Sequence, residues 1–209
     1  MQPVDFKELL IIYQHSWAEG MLKHASFDQA EEAAKVADII EFFNSHKDVF
    51  KREHLKGHFT GSALVVDPQL EKVLLTHHKK LGMWLQLGGH ADGEVDLSSV
   101  AWRETEEESG LTNLEFLDYE GLILENVPPD LHLPFDIDRH VIPSRPDEPE
   151  HIHYDIRYII IAHPEDMVMV SEESHDVKWF TIAEARKVTS ERSMHRQFDK
   201  LAYLRENLL

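Results

Sequence analysis

The chain has 209 residues, 42% of them hydrophobic, with 39 acidic against 21 basic side chains and a net charge of −18. That length covers one domain, or one domain with an extension, and the apolar share is ample for a core. So acidic a chain disfavours nonspecific binding to nucleic acid or an anionic membrane, and zero cysteines exclude disulfides, thiolate metal sites and cysteine nucleophiles.

The start, MQPVDFKELL, lacks the basic segment and apolar run of a secretory signal. No stretch is apolar for long enough to span a bilayer, and the cytoplasm is the expected location. Residues 1–56 read as helices. Ser26 and Gln29 make a capping box ahead of a helix over 30–43, with Ala33, Ala37, Ile40 and Phe43 on one side. These helices carry no recognisable chemistry; packing, dimerisation (a homodimer) or covering of a site are the roles open to them.

From Gly57 the period changes. Strands are expected over 59–66 and 72–77, divided by a turn at Asp67-Pro68. A helix follows, capped by Asp96 and ended by Gly110. Gly88-Gly89 before it reads as a turn where backbone can approach a ligand closely. Further strands are expected over 114–126, 135–142, 151–162 and 177–181, then helices over 182–188 and 190–209. Between 127 and 155 fall Pro128, Pro129, Pro134, Pro143, Pro146 and Pro149, most of the chain's nine prolines, which predicts a stiff, irregular excursion.

The helix after Asp96 carries the chemistry. Leu97, Val100, Ala101 and Leu111 form an apolar stripe at helical spacing, and Glu104, Glu107 and Glu108 fall on that same stripe. Like charges three and four apart repel by roughly 0.2–0.5 kcal/mol per exposed pair. A divalent cation reverses the sign, because hard cations draw several carboxylate oxygens to one point. Arg103, one turn before Glu107, is a candidate to hold those carboxylates from behind.

The segment Gly88–Leu111, GGHADGEVDLSSVAWRETEEESGL, resembles the signature of the Nudix hydrolases. That signature is a Gly, five residues, a Glu, seven residues, then Arg-Glu-apolar-x-Glu-Glu-x-Gly-apolar. Arg103, Glu104, Glu107, Glu108, Gly110 and Leu111 match its second half, with Thr105 where the family prefers an aliphatic side chain. Counted from Gly89, the family's first Glu, which mainly braces the Arg, falls on Val95 between Glu94 and Asp96. Counted from Gly88, Glu94 fits and the next spacer is one residue longer. The family's Trp-x-x-Pro-Gly-Gly appears as Trp84-Leu85-Gln86-Leu87-Gly88-Gly89.

The resemblance implies an α/β/α sandwich with a mixed, curved β-sheet over 57–209, behind an N-terminal helical extension over 1–56. It implies hydrolysis of a diphosphate bond in a nucleoside diphosphate linked to another moiety, with that small molecule as the partner. Glu104, Glu107 and Glu108 would bind Mg2+ or Mn2+, backed by Arg103. Gly88, Gly89 and Lys79 or Lys80 would meet the substrate. Glu107, Glu108, Glu172 and Glu173 are the candidates for general base. In this family an insertion such as 127–150 sets substrate choice.

Histidines form a second constellation, 15 in all. By strand alternation His151, His153 and Asp155 share one face. His90 follows the Gly pair and His58 opens a strand. This placement resembles type I isopentenyl-diphosphate isomerase, a same-fold relative with metal-binding histidines after a Cys-Gly pair and at a strand start. It implies a second metal site at His58, His90, His153 and Asp155, suited to zinc, manganese or iron. The isomerase's cysteine is replaced by Gly88 or Gly89. Two other readings follow: a ligand-sensing domain that does not hydrolyse, and an isomerase-like enzyme working by protonation.

Overall fold

The computed structural model describes residues 6–19, 28–119, 131–145 and 149–208. Two helices open it, α1 (Phe6–Gln14), with a π-helical turn at His15–Glu19, and α2 (Gln29–Ser45). The α2 cap is Asp28, whose carboxylate accepts the Ala30 and Glu31 amides at 3.0 Å. It takes the place of the expected Ser26–Gln29 box; Ser26 lies outside the described residues.

Eight strands make one open mixed sheet among the described residues: β1 (Gly57–Val66), β2 (Lys72–His78), β3 (Met83–Leu85), β4 (Leu87–His90), β5 (Glu115–Phe116), β6 (Asp136–Ile142), β7 (His151–Ile161) and β8 (Ser174–Thr181). The helix α3 (Leu97–Ser109) follows β4, and α4 (Ile182–Val188) and α5 (Arg192–Leu208) close the chain. The central path is β3-β2-β1-β7-β5, with β4 against β1, β6 against β7 and β8 against β2. Among the described strands only β1 and β7 run parallel, paired from Gly57–Ile152 to Val66–Ile161.

Three expectations change. The strand expected over 114–126 is Glu115–Phe116 alone among its described residues; 120–126 lie outside them, as do 127–130 and 146–148 of the proline-rich excursion. The last strand starts earlier, at Ser174. The Gly88-Gly89 turn is a strand, β4, pairing antiparallel with β1 from Ala63–Leu87 to Thr60–His90. Gly88 sits at φ +155°, and a Cβ there would collide with Ser62. Two glycines without β propensity therefore form a strand because nothing larger lies flat against β1.

Alternation sends Phe59, Gly61 and Ala63 of β1 to one face and His58, Thr60 and Ser62 to the other. On the first face α3 seats directly on backbone: a Cβ at Gly61 would lie 2.6 Å from the Leu97 carbonyl oxygen and 2.8 Å from Val100 Cβ. Helix and strand backbone cannot both yield, so Gly61→Ala should lift α3 and cost roughly 1–3 kcal/mol in urea unfolding. An unchanged midpoint would contradict this seating.

The N-terminal helices are built into the same core. Leu10, Tyr13, Trp17, Val36, Ile39 and Phe42 are buried in it. Phe6 packs edge-on against Phe59 at 4.9 Å, and Phe42 stacks on Tyr154 at 4.2 Å. Of the roles open to them, packing is the one these contacts display.

The second face carries a buried polar layer under α5. Asp136, fully buried, accepts Lys200 Nζ at 2.6 Å, Arg196 Nη2 at 2.8 Å and Arg157 Nη1 at 3.1 Å. Asp138 shares Arg157 and Arg196, and Asp155 accepts Arg157 Nε at 2.6 Å. Tyr13 links this layer to α1 and α2, donating to Glu32 at 2.6 Å and accepting from Lys200 at 2.9 Å.

Candidate active site

The helix α3 begins and ends where its sequence dictates. Asp96 accepts the Ser98 amide at 3.0 Å, and Gly110 takes the left-handed conformation at φ 71°. Its buried side is Leu97, Ser98, Val100, Ala101, Thr105, Glu108 and Ser109. Thr105 is tolerated there because its hydroxyl donates to the Ala101 carbonyl at 2.8 Å.

The carboxylates separate by depth. Glu108 is only 7% exposed and accepts the Gly88 amide at 2.9 Å. The Glu104 side chain is 15% exposed and lies against Gly89, where a Cβ would collide with its carboxylate. Glu107, placed on the apolar stripe by sequence, is 60% exposed, because the buried stripe centres on Ala101, Thr105 and Glu108. Burial pushes the Glu108 pKa up to about 8, opposed by the Gly88 amide and helped by Glu104, Glu173 and Glu107. Burial also raises Glu104, against the pull of Arg103.

Arg103 binds both outer members, Glu104 at 2.7 Å and Glu107 at 3.0 Å, and donates to the His90 carbonyl at 3.1 Å. The position where the family's first Glu falls, Val95, is 64% exposed. Glu94 instead accepts the Val95 and Asp96 amides at 2.8 and 2.9 Å, closing the loop before α3. Arg103 is thus braced by its own helix and by the strand it faces.

Lys79 and Lys80 are exposed at the end of β2. Lys79 Nζ donates to the Glu172 carbonyl at 2.6 Å and its amide to the Glu173 carbonyl at 3.0 Å. Lys79 therefore anchors the segment bearing Glu173, whose charge acts on Glu104 and Glu108.

The histidines gather on the opposite face, since His90 alternates with Gly89 along β4 and pairs across from Thr60. The ring of His58 lies 5.0 Å from His90, 5.0 Å from His151 and 4.7 Å from His153. His140 joins at 5.4 Å from His153. Asp155 does not take part. Its carboxylate is engaged by Ser62 at 2.6 Å, Arg157 at 2.6 Å, Thr60 at 2.8 Å and Gln86 at 3.3 Å. The expected set of His58, His90, His153 and Asp155 thus becomes imidazole only. His151 and His140 were the ones missed, and only the β6–β7 register, pairing His140 with His153, brings the latter in.

Burial, then His90 and His151, pulls the His58 pKa down to about 4, against a smaller pull from the His54 backbone. Burial, then His140, His58 and His90, pulls His153 down to about 2. These rings are neutral at ordinary pH.

The NUDIX domain family matches residues 57–201, and the chain belongs to that family, the Nudix hydrolases. Solved structures similar to it include an Ap4A hydrolase from C. elegans, with 17% identity over 69% of this chain and 94% of that one, at TM-score 0.51. RenU, a Nudix hydrolase from M. smegmatis, shares 14% identity over 73% and 88%, at TM-score 0.50. A NUDIX-family hydrolase from Clostridium perfringens shares 23% identity over 70% and 97%, at TM-score 0.48. For the first two the likeness is one of fold, the mixed sheet between helices described above. No match was found among curated proteins. Among the described residues no helix is long and apolar enough to cross a membrane.

Proposed function

We propose that the protein hydrolyses the diphosphate bond of a nucleoside diphosphate linked to another group, using Mg2+ or Mn2+ held by Glu104, Glu107 and Glu108. One observation carries this reading. Glu108 is a carboxylic side chain buried against the Gly88 amide, with its pKa at about 8, beside the partly buried Glu104. Such a pair destabilises a metal-free chain and is relieved by a hard divalent ion; the all-oxygen donor set suits magnesium or manganese. The ion would supply charge neutralisation on the diphosphate and a water of lowered pKa.

The side chains do the rest. Arg103 holds Glu104 and Glu107 from behind, so their oxygens stay oriented as substrate arrives. Gly88 and Gly89 let the diphosphate approach backbone closely. Lys80 is the cation offered to its far phosphate, while Lys79 fixes the 172–173 segment. Glu173, exposed and electrostatically joined to Glu104 and Glu108, accepts the proton of the attacking water.

The test is a panel of diphosphate compounds, including Ap4A, the molecule in the name of the C. elegans neighbour. Mononucleotide should appear with Mg2+ or Mn2+ and stop with EDTA. Tight binding without turnover across the panel would point instead to a ligand sensor. Gly89→Ala should lower turnover by roughly 100-fold, because its methyl displaces the Glu104 carboxylate. The unfolding midpoint should hardly move, since the atoms in the way end a flexible side chain. Full activity in that variant would contradict Glu104 as a ligand.

A further inference from the structure

We propose that His58, His151 and His153 form a second metal site, for a zinc-class divalent transition ion, on the sheet face opposite α3. Among the described residues these are the one group that brings three ligand atoms within 4.8 Å of one another. They come from two adjacent strands: β1 and β7 run parallel and pair His58 directly with His153, while His151 lies two residues back on the same face. The strand backbone therefore fixes all three rings.

Hydrogen bonding accounts for His151 and His153 and leaves His58 over. His58 is 1% exposed, yet neither of its ring nitrogens makes a hydrogen bond of normal geometry, the weak pull of the His54 backbone aside. A buried polar group left so is destabilising. His151 Nδ1 lies 2.9 Å from the Pro149 carbonyl, which can only accept, so Nδ1 carries the proton and Nε2 presents a lone pair. That Nε2 accepts a hydrogen bond from His153 Nε2 at 3.1 Å, a proton that a shared metal ion would displace. Two nitrogens sharing a tetrahedral zinc stand about 3.3 Å apart. A backbone acceptor on one ring nitrogen with the other turned inward is how ligating histidines are held.

Imidazole donors select zinc, cobalt or iron over magnesium. The carboxylates of α3, made of hard oxygens, lie across the sheet, so the two centres would take different ions. Three imidazoles leave at least one position open. His90 and His140 flank the trio, their rings 5.1 and 5.4 Å from that of His153.

Chelator-stripped protein is titrated with Co2+ in excess Mg2+, which saturates the carboxylates. Uptake of about one Co2+ per chain is expected, with the visible d–d absorption of a nitrogen-ligated ion. His153→Ala and His151→Ala should each weaken uptake by roughly 100-fold or more, with circular dichroism verifying the fold. Glu108→Gln should leave uptake and spectrum intact. Wild type taking up no Co2+ overturns the proposal, whatever the variants do. So does uptake unchanged in both histidine variants, and so does uptake lost in Glu108→Gln, which would put the ion among the carboxylates.

Discussion

Glu108→Gln should lose hydrolysis and gain stability. Glutamine keeps the shape and can still accept the Gly88 amide, but it removes a charge the metal needs. A ligand worth several kcal/mol of transition-state stabilisation corresponds to roughly 1,000-fold in turnover. The stability gain follows from linkage. A folded pKa of about 8 against an ordinary 4.5 means the folded chain holds this proton more tightly than the unfolded chain. Stability is therefore full below the ordinary value and falls as pH rises toward 8. Toward pH 8 this linkage costs the folded, metal-free chain on the order of 2 kcal/mol, which glutamine avoids. Metal-free Glu108→Gln should melt about 4–8 °C above wild type at pH 8, and the difference should vanish near pH 4. Added Mg2+ should raise the midpoint of wild type and not of the variant. A variant less stable than wild type at pH 8 would show that the Glu108 charge is not under strain.

Asp136→Asn should produce the largest loss of stability. Asp136 is fully buried and bound by Arg157, Arg196 and Lys200, from β7 and α5. Burial alone would raise its pKa; the cations, Arg196 foremost, hold it well below the ordinary carboxylate range. Its stabilisation is thus present above the ordinary carboxylate pKa of 3.8 and is lost only as pH falls below it. Asparagine leaves a surplus of buried positive charge, at a cost of roughly 3–5 kcal/mol. Urea unfolding at pH 7 should show this, and the gap between the two proteins should shrink as pH is lowered below 3.8. A change under about 1 kcal/mol would mean that water reaches the layer and screens it.

Local chemistry was visible. Asp96 and Gly110 framed α3, and the apolar end of β1 over 63–66 and the alternation of β7 marked buried strands. What depended on register was hidden. A helical wheel places Glu107 and Glu108 almost equally near the stripe, and only the sheet under Thr105 decides that Glu108 goes in and Glu107 stays out. Gly88-Gly89 has no strand propensity, so β4 exists only because β1 is there to receive it. His153 and Asp155 do share a face, as alternation requires. Their fates diverge because Thr60, Ser62 and Arg157 surround one and His58 the other. Lys79 shows the same gap: its neighbours were readable, its bond to the Glu172 carbonyl was not.

The most direct measurement is hydrolysis of the diphosphate panel in oxygen-18 water, comparing wild type with Glu108→Gln under Mg2+ and under EDTA. Mononucleotide carrying the label on its phosphate is expected from wild type with Mg2+, and should be lost both with EDTA and in the variant. Undiminished labelled product in Glu108→Gln, or no product from any diphosphate with wild type under Mg2+ or Mn2+, would contradict this expectation.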